Sequence, residues 1–136
     1  MTRQELCEQL KSVKNKHQVK LGYSLPIAFQ LGKKKIEAIE NGLTDFNVSD
    51  MLLYLDMCNA GMELSHWDYY NISTLQELQE TLKYERIESE YSIIALAKRS
   101  HVSSKIITAF EEKRCGLKID TFLKLINSLE IQIEID

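Results

Sequence analysis

The stretch that decides the fold is YSIIALAKRSHVSSKIITAFEEKRCGLKIDTFLKLINSL, residues 91–129. Its apolar spacing predicts three short helices, over 93–100, from Ser103 onward, and over 119–129. A tight break at 101–102 separates the first two. Ser103 suits the start of the second helix, because its side chain can accept a hydrogen bond from the free amides of the first turn.

In the second helix, Ile107 and Phe110 lie three residues apart and form one apolar face. The residues that point away from this face are Ser104, Lys105, Ile106, Thr108 and Ala109. The core stripe of the third helix consists of Ile119, Phe122, Leu123, Ile126 and Leu129. Two helices joined by a tight turn, the second presenting small polar and basic residues outward, have the layout of a helix-turn-helix DNA-binding unit.

Further motifs accompany this layout within residues 75–136. They are Leu82-Lys83, Arg86, Tyr91-Ser92-Ile93, Leu96-Ala97, His101-Val102-Ser103, Ile107, Phe110-Glu111 and Thr121-Phe122-Leu123-Lys124-Leu125. Together they resemble the Cro and lambda-repressor-like helix-turn-helix family, often called XRE. Ile93 stands where that family usually has Gln, and His101 stands where its turn usually has Gly. Because His tolerates a positive φ at modest cost, the fold is compatible with this change.

The resemblance implies that residues 103–111 form a recognition helix that enters the DNA major groove. The DNA-binding residues it implies are Ser92, Ser103, Ser104, Lys105, Ile106, Thr108, Ala109, Lys113 and Arg114. We expect the hydroxyls and Lys105 to donate to phosphates or base edges, and Ile106 and Ala109 to meet thymine methyl groups. The last two basic residues of the set would clamp the DNA backbone beyond the helix.

Residues 1–64, here called the N-terminal half, repeat the pattern of residues 75–136, the C-terminal half, at a constant offset of 71. The matching pairs are Leu25/Leu96, Leu31/Val102, Ile36/Ile107, Ile39/Phe110, Val48/Ile119, Met51/Phe122, Leu52/Leu123, Leu55/Ile126, Cys58/Leu129, Met62/Ile133 and Leu64/Ile135. The first helices match at an offset of 72, through Leu10/Leu82 and Lys14/Arg86. A constant offset over these positions indicates a tandem duplication. Glu40 matches Glu111, and we expect both to bond to nearby backbone or to a basic residue.

The recognition helix of the N-terminal half is predicted over 33–41, KKKIEAIEN, with Gly42 as its stop. Its first three residues, Lys33, Lys34 and Lys35, oppose the helix dipole. They either serve as phosphate contacts or form a solvated lysine run, and the sequence leaves both interpretations open. Residues 30–32 would form the turn before this helix. In the preceding helix, Gly22 replaces the family Gln and Pro26 lies within about the first turn.

The segment 65–74 separates the two halves and is rich in aromatic residues. We expect Trp67, Tyr69 and Tyr70 to pack between the halves, because they are costly to leave together in water. The alternative is an exposed patch that binds a partner. The run 85–90 is interpreted as a solvated helix end.

The C-terminal segment 129–136 alternates apolar and polar residues, so that Ile131, Ile133 and Ile135 share one face of a short strand. A lone strand is unstable and needs a partner. One candidate is the segment 61–65 of the same chain. The other is the same strand of a second chain, which would make a homodimer, as in the HipB-type repressors and antitoxins that this tail resembles.

Composition narrows the class of protein. The net charge of −3 argues against a protein that coats DNA non-specifically, but it is compatible with a local basic face. Three widely spaced cysteines favour reduced thiols in a cytoplasmic protein over a metal site or a disulfide. We find neither a signal peptide nor a membrane-spanning run. The three histidines are scattered, and no catalytic motif is present, so we expect neither an enzyme nor a cofactor.

The sequence therefore predicts a mainly all-α protein with two tandem lambda-repressor-like helix-turn-helix bundles, each followed by a short β-strand. The predicted function is a sequence-specific DNA-binding transcriptional regulator whose partner is double-stranded DNA. The alternative is a protein-interaction module, such as an antitoxin or anti-repressor, that keeps the fold with little or no DNA binding. The acidic balance, Ile93, Gly22 and the outward-facing Ile106 favour that alternative.

Overall fold

The computed structural model describes residues 1–17 and 31–136. Within these ranges the chain is mainly helical, with one small three-stranded sheet. The elements in chain order are α1 (Arg3–His17), α2 (Lys33–Asn41), α3 (Val48–Met57), β1 (Met62–Ser65), β2 (Tyr69–Ile72), α4 (Leu75–Glu88), α5 (Ile93–Ser100), α6 (Ser104–Glu111), α7 (Ile119–Ser128) and β3 (Gln132–Ile135). The predicted second helix of the N-terminal half, with Gly22, Leu25 and Pro26, lies outside the described residues, as does Gln30 of its turn.

The three helices predicted from residues 91–129 are confirmed as α5, α6 and α7. His101 ends α5 in the left-handed conformation, with φ of 58°. Ser103 is the N-cap of α6, and its hydroxyl oxygen accepts a hydrogen bond from the Lys105 amide at 3.2 Å. Buried Val102 anchors the turn between them. The sequence therefore located this unit through local signals alone.

The helices of the two halves correspond at the predicted offset. α3 and α7 each contain ten residues and lie 71 positions apart, and α2 and α6 begin 71 positions apart. Asn59 and Glu130, which follow α3 and α7, both adopt positive φ, at 53° and 59°. α1 and α4 match at an offset of 72, because the amides of Glu5 and Glu77 donate to the hydroxyls of Thr2 and Thr74.

The sheet has the order β2-β1-β3, and both pairings are antiparallel. β3 therefore pairs with β1 of the same chain, which is the first of the two candidate partners for the C-terminal strand. β1 is the central strand, and its apolar residues Met62 and Leu64 are buried. On the edge strand β3, the matching Ile133 and Ile135 are partly buried.

Buried side chains from both halves form one continuous hydrophobic core. Every predicted core position among the described residues lies in or against it, with Ile36, Ile133 and Ile135 only partly buried. Within residues 1–17 and 31–136, no helix combines the length and the apolar character that crossing a bilayer requires.

The aromatic residues of the segment 65–74 differ from expectation. Trp67 is 57% exposed and Tyr69 is 67% exposed, so the prediction that they pack between the halves is wrong. The segment contributes β2, and alternation along that strand turns Tyr69 outward while Ile72 is buried. Tyr70 is partly buried and packs edge-on against Tyr84, with ring centroids 6.2 Å apart.

The interpretation of 85–90 as a solvated helix end is wrong for Glu85, which is fully buried. Glu85 lies on the same face of α4 as Leu82 and Leu78, three and seven residues earlier, and this face points into the core. Its carboxylate accepts a hydrogen bond from the Trp67 amide at 3.3 Å, and His66 Nδ1 lies 3.4 Å from it. The aromatic turn thus covers a buried carboxylate.

Candidate nucleic-acid interface

The turn between α5 and α6 is held by hydrogen bonds from its own residues. The Ser92 hydroxyl accepts from the Ala95 amide at 3.1 Å and caps α5. The Ser100 hydroxyl donates to the Leu96 carbonyl at 2.7 Å and accepts from the Val102 amide at 3.3 Å. These bonds satisfy the polar groups of a buried turn, so α6 leaves it in a defined direction.

The face of α6 that was predicted to point outward is accessible to solvent. Lys105 and Ile106 are exposed, while Ser104, Thr108 and Ala109 are partly exposed. Ser104, Lys105 and Thr108 line a shallow depression of about 280 Å³ together with Arg114. The depression therefore carries two cationic side chains and two hydroxyls, which are groups that donate hydrogen bonds to phosphate oxygens and base edges.

Intramolecular ion pairs engage part of the predicted basic set. Lys113 Nζ lies 2.8 Å from Glu80 of α4, and Arg114 lies 3.1 Å from Glu112. Lys105 takes part in no ion pair among the described residues. Of the cationic groups on this face, Lys105 thus has the least competition from carboxylates.

The far end of α6 is fixed to α4 by an ion pair whose two side chains are only 11% and 7% exposed. Arg86 donates to both oxygens of Glu111, at 2.7 and 2.8 Å, and also to the Tyr91 carbonyl at 2.8 Å. This confirms that Glu111 bonds to a basic residue. Since the pair ties α4, α6 and the start of α5 together, it sets the orientation of the exposed face.

The N-terminal half has a matching arrangement with other residues. Glu40 of α2 lies 2.8 Å from Lys14 Nζ and accepts from the Tyr54 hydroxyl at 2.7 Å. The expected bond between Glu40 and a basic residue is therefore confirmed, and Lys14 and Arg86 play the same part. α2 is held against α1 and α3 as α6 is held against α4.

The start of α2 carries a different surface from the start of α6. Lys33, Lys34 and Lys35 are all exposed, and the first turn of α2 contains no acidic residue. Its N-cap, Gly32, provides no side-chain hydrogen bond. Lys33 lies 4.0 Å from Glu37, and Lys35 lies 3.5 Å from Asp50. Positive charge at an uncapped helix N-terminus is unfavourable for the helix and favourable for an approaching anion.

The sequence analysis did not single out Ile94, an exposed apolar residue of α5. Ile94 of α5 is 64% exposed and Ile106 of α6 is 42% exposed, although both are large and apolar. The helical period would have placed Ile94 outward, because Ile93, Leu96 and Ala97 share the opposite side. Ile106 lies on the candidate helix itself, and Ile94 lies on the helix that precedes it.

The described residues contain no group of histidine, cysteine and acidic side chains suited to hold a metal ion. Cys7 and Cys58 are buried, and burial raises the pKa of each thiol to about 11. Such thiols are poor nucleophiles at neutral pH.

Comparisons with protein-family models, with curated proteins and with solved structures gave no match for this chain. The geometry of α5 and α6 therefore carries the functional argument by itself.

Proposed function

We propose that this chain is a sequence-specific DNA-binding regulator built from two tandem helix-turn-helix bundles of the lambda-repressor-like type. In each bundle a short strand follows the last helix. The observation that carries the proposal is the exposed face of α6, where Ser104, Lys105 and Thr108 line one depression after a capped, tight turn. A rigid helix with such residues at its N-terminal end matches the way a recognition helix contacts base edges in the major groove.

Some of the proposed contacts would contribute to affinity for DNA, and others would contribute to sequence specificity. Lys105 would release counterions from phosphates or bind a guanine edge, and the hydroxyls of Ser104 and Thr108 would donate to phosphates or bases. Ile106 and Ala109 would meet thymine methyl groups. The Lys113 and Arg114 contacts to the DNA backbone would require exchange of their present carboxylate partners for phosphates.

The overall acidity of the chain is compatible with this proposal because its acidic residues are unevenly distributed. Residues 65–90 contain six of the 20 acidic residues and only two of the 17 basic ones. This surplus lies in α4 and in the turns before β2 and after α4, outside α5 and α6. A locally basic face is what specific binding needs.

The test is fluorescence anisotropy with duplexes enriched from a random pool, at low and moderate salt. We expect one sequence family to be enriched, with affinity that falls steeply as salt rises. Lys105→Ala should weaken binding roughly tenfold or more, since a good base contact contributes about 1–3 kcal/mol. Lys83→Ala, which removes an exposed lysine of α4, is the charge-matched control and should change affinity little. No enrichment even at low salt would overturn the proposal.

A protein-interaction module is the second candidate function, and the exposed Ile94 and Ile106 favour it. Ile94→Lys separates the two candidates. If this face approaches DNA, the added charge should strengthen binding and steepen its salt dependence. If the face binds a protein through apolar contact, Ile94→Lys should abolish capture of that partner and leave DNA binding unchanged.

A further inference from the structure

The sheet joins the two halves through residues that occupy equivalent positions. Glu63 of β1 faces Glu134 of β3, which is its counterpart at an offset of 71. On either side, Met62 faces Ile135 and Leu64 faces Ile133. Antiparallel pairing of a residue with its own counterpart is the arrangement found on a two-fold axis between identical subunits.

A second contact between the two halves also pairs a residue with its own counterpart. Asn47, just before α3, faces Lys118, just before α7, in an isolated antiparallel bridge, and these residues are also 71 positions apart. The hydrogen bonds of this bridge are reciprocal. The Val48 amide donates to the Leu117 carbonyl at 2.9 Å, and the Ile119 amide donates to the Phe46 carbonyl at 2.8 Å. Two separate junctions therefore define one approximate two-fold axis.

The helices beside these junctions follow the same symmetry. Arg3, at the start of α1, pairs with Asp120 of α7 in the other half. Their counterparts Leu75 and Ser49 line one groove between α4 and α3. α1 thus meets α7 and α4 meets α3, so the first helix of each half contacts the last helix of the other half.

We infer that one copy of this chain binds an inverted repeat whose two half-sites differ in sequence and in how strictly they are specified. This inference rests on the proposed function. The axis relates α2 to α6, so the two helices address half-sites of opposite orientation, as the two subunits of a homodimer do. Because β3 pairs with β1 of its own chain, the strand pairing that would join two subunits of a homodimer forms here within one chain.

The half-sites differ because the two helices present different chemistry. α6 begins Ser-Lys-Ile and offers hydroxyls, one lysine and an apolar contact, which together discriminate between base edges. α2 begins Lys-Lys-Lys and offers charge, which binds phosphates without sequence information. We therefore assign a strictly specified half-site to α6 and a loosely specified half-site to α2.

The stoichiometry of the complex is the first test. Native mass spectrometry of the full chain, alone and with its enriched duplex, should give a monomer and a complex of one chain per duplex. The apparent Kd should be the same at every protein concentration, because the chain binds as a monomer and no association of two chains precedes DNA binding. A dimeric free protein, or two chains on one enriched site, would overturn the inference and leave the proposed function standing. Failure to enrich any duplex would overturn both.

Symmetrised duplexes test the unequal half-sites. Duplicating the strictly specified half should change affinity by no more than about threefold, because α2 meets phosphates in either case. Duplicating the loosely specified half should weaken binding by roughly tenfold or more, because α6 then meets mismatched bases. Tighter binding to either perfect palindrome than to the selected site would contradict the inference.

Two lysines provide a matched pair of variants. Lys34 and Lys105 are both exposed and take part in no ion pair among the described residues, so neither replacement should endanger folding. Lys105→Ala should relax sequence preference in one half-site only. Lys34→Ala should lower the slope of log affinity against log salt by about one and leave sequence preference unchanged. A changed sequence preference in Lys34→Ala would show that α2 contacts bases.

Discussion

In the C-terminal half, Glu111 accepts a bidentate pair of hydrogen bonds from Arg86. In the N-terminal half, the matching Glu40 forms an ion pair with Lys14 and accepts a hydrogen bond from the Tyr54 hydroxyl. Both carboxylates fasten the end of a candidate recognition helix to the first helix of its half. The difference shows that the scaffold constrains the position of the carboxylate more tightly than the identity of its partners. The halves can therefore diverge in chemistry while the helices keep their places.

Removal of these carboxylates should produce the largest difference between the halves. Glu111→Ala leaves the largely buried Arg86 guanidinium without its charge partner, which should cost about 3 kcal/mol. Glu40→Ala frees a more exposed lysine and leaves one buried hydroxyl unsatisfied, for which we expect about 1–3 kcal/mol. Urea denaturation of both variants checks the order, with Glu111→Gln as the isosteric control. Equal losses would mean that the two pairs are energetically equivalent.

The strands should show the next largest asymmetry. Leu64 on the central strand β1 is fully buried, whereas its counterpart Ile135 lies on the edge strand β3 and is partly buried. Leu64→Ala should cost about 3 kcal/mol and Ile135→Ala about 1 kcal/mol, in proportion to the apolar area that each buries. Thermal unfolding measures both. A larger loss at Ile135 would indicate that β3 is covered by a second chain in solution, contrary to the single-chain arrangement.

Alkaline pH should destabilise the protein mainly through ionisable groups of the N-terminal half. Burial raises the pKa of Cys7 and of Cys58 to about 11 and raises the pKa of Tyr54 above its ordinary range. The folded protein holds the thiol protons more tightly than the unfolded chain does. The contribution of each thiol to the free energy of unfolding is therefore complete below the ordinary thiol pKa. It is lost as pH rises from about 8.5 toward 11, by about 2 kcal/mol for each thiol.

The urea midpoint measured from pH 8 to pH 11 checks this expectation. A double variant, Cys7→Ala with Cys58→Ala, should show a smaller decline over that range. Cys115→Ala, at the exposed cysteine of the C-terminal half, is the matched control and should decline like the parent protein. An unchanged slope in the double variant would exclude the buried thiols as its cause.

Much of the fold could be predicted because its signals are local. Ser103, the left-handed His101 and the stripe on α7 each act within one or two turns of chain, so the boundaries of α5 to α7 followed from the sequence. The offset of 71 also led to the paired carboxylates Glu40 and Glu111, since a residue that repeats at a fixed position occupies the same place in both halves even where its partners differ.

The parts that could not be predicted depend on contacts between distant residues. Lys113 pairs with Glu80, 33 positions earlier, so its charge is engaged in a way that no local pattern reveals. The exposure of Trp67 and Tyr69 follows from the pairing of β2 with β1, and the burial of Glu85 follows from the turn that covers it. In the candidate site, the sequence placed Ser104, Lys105 and Thr108 on one face, but it did not bring Arg114 to the same depression.

The smallest expected effect concerns Asn59 and Glu130, the residues that follow α3 and α7. Asn59 and Glu130 both occupy the left-handed region, which Asn adopts more readily than Glu. Glu130→Asn, which places the residue of the N-terminal half in the C-terminal half, should therefore stabilise the protein by about 0.5 kcal/mol, or roughly 2 °C in Tm. The ion pair of Glu130 with Arg99 is exposed and long, at 3.7 Å, so its loss should subtract little. The reverse change, Asn59→Glu, should lower Tm by a similar amount. If both replacements lower Tm, the contacts of each side chain outweigh its backbone preference, and the two helix ends are not interchangeable.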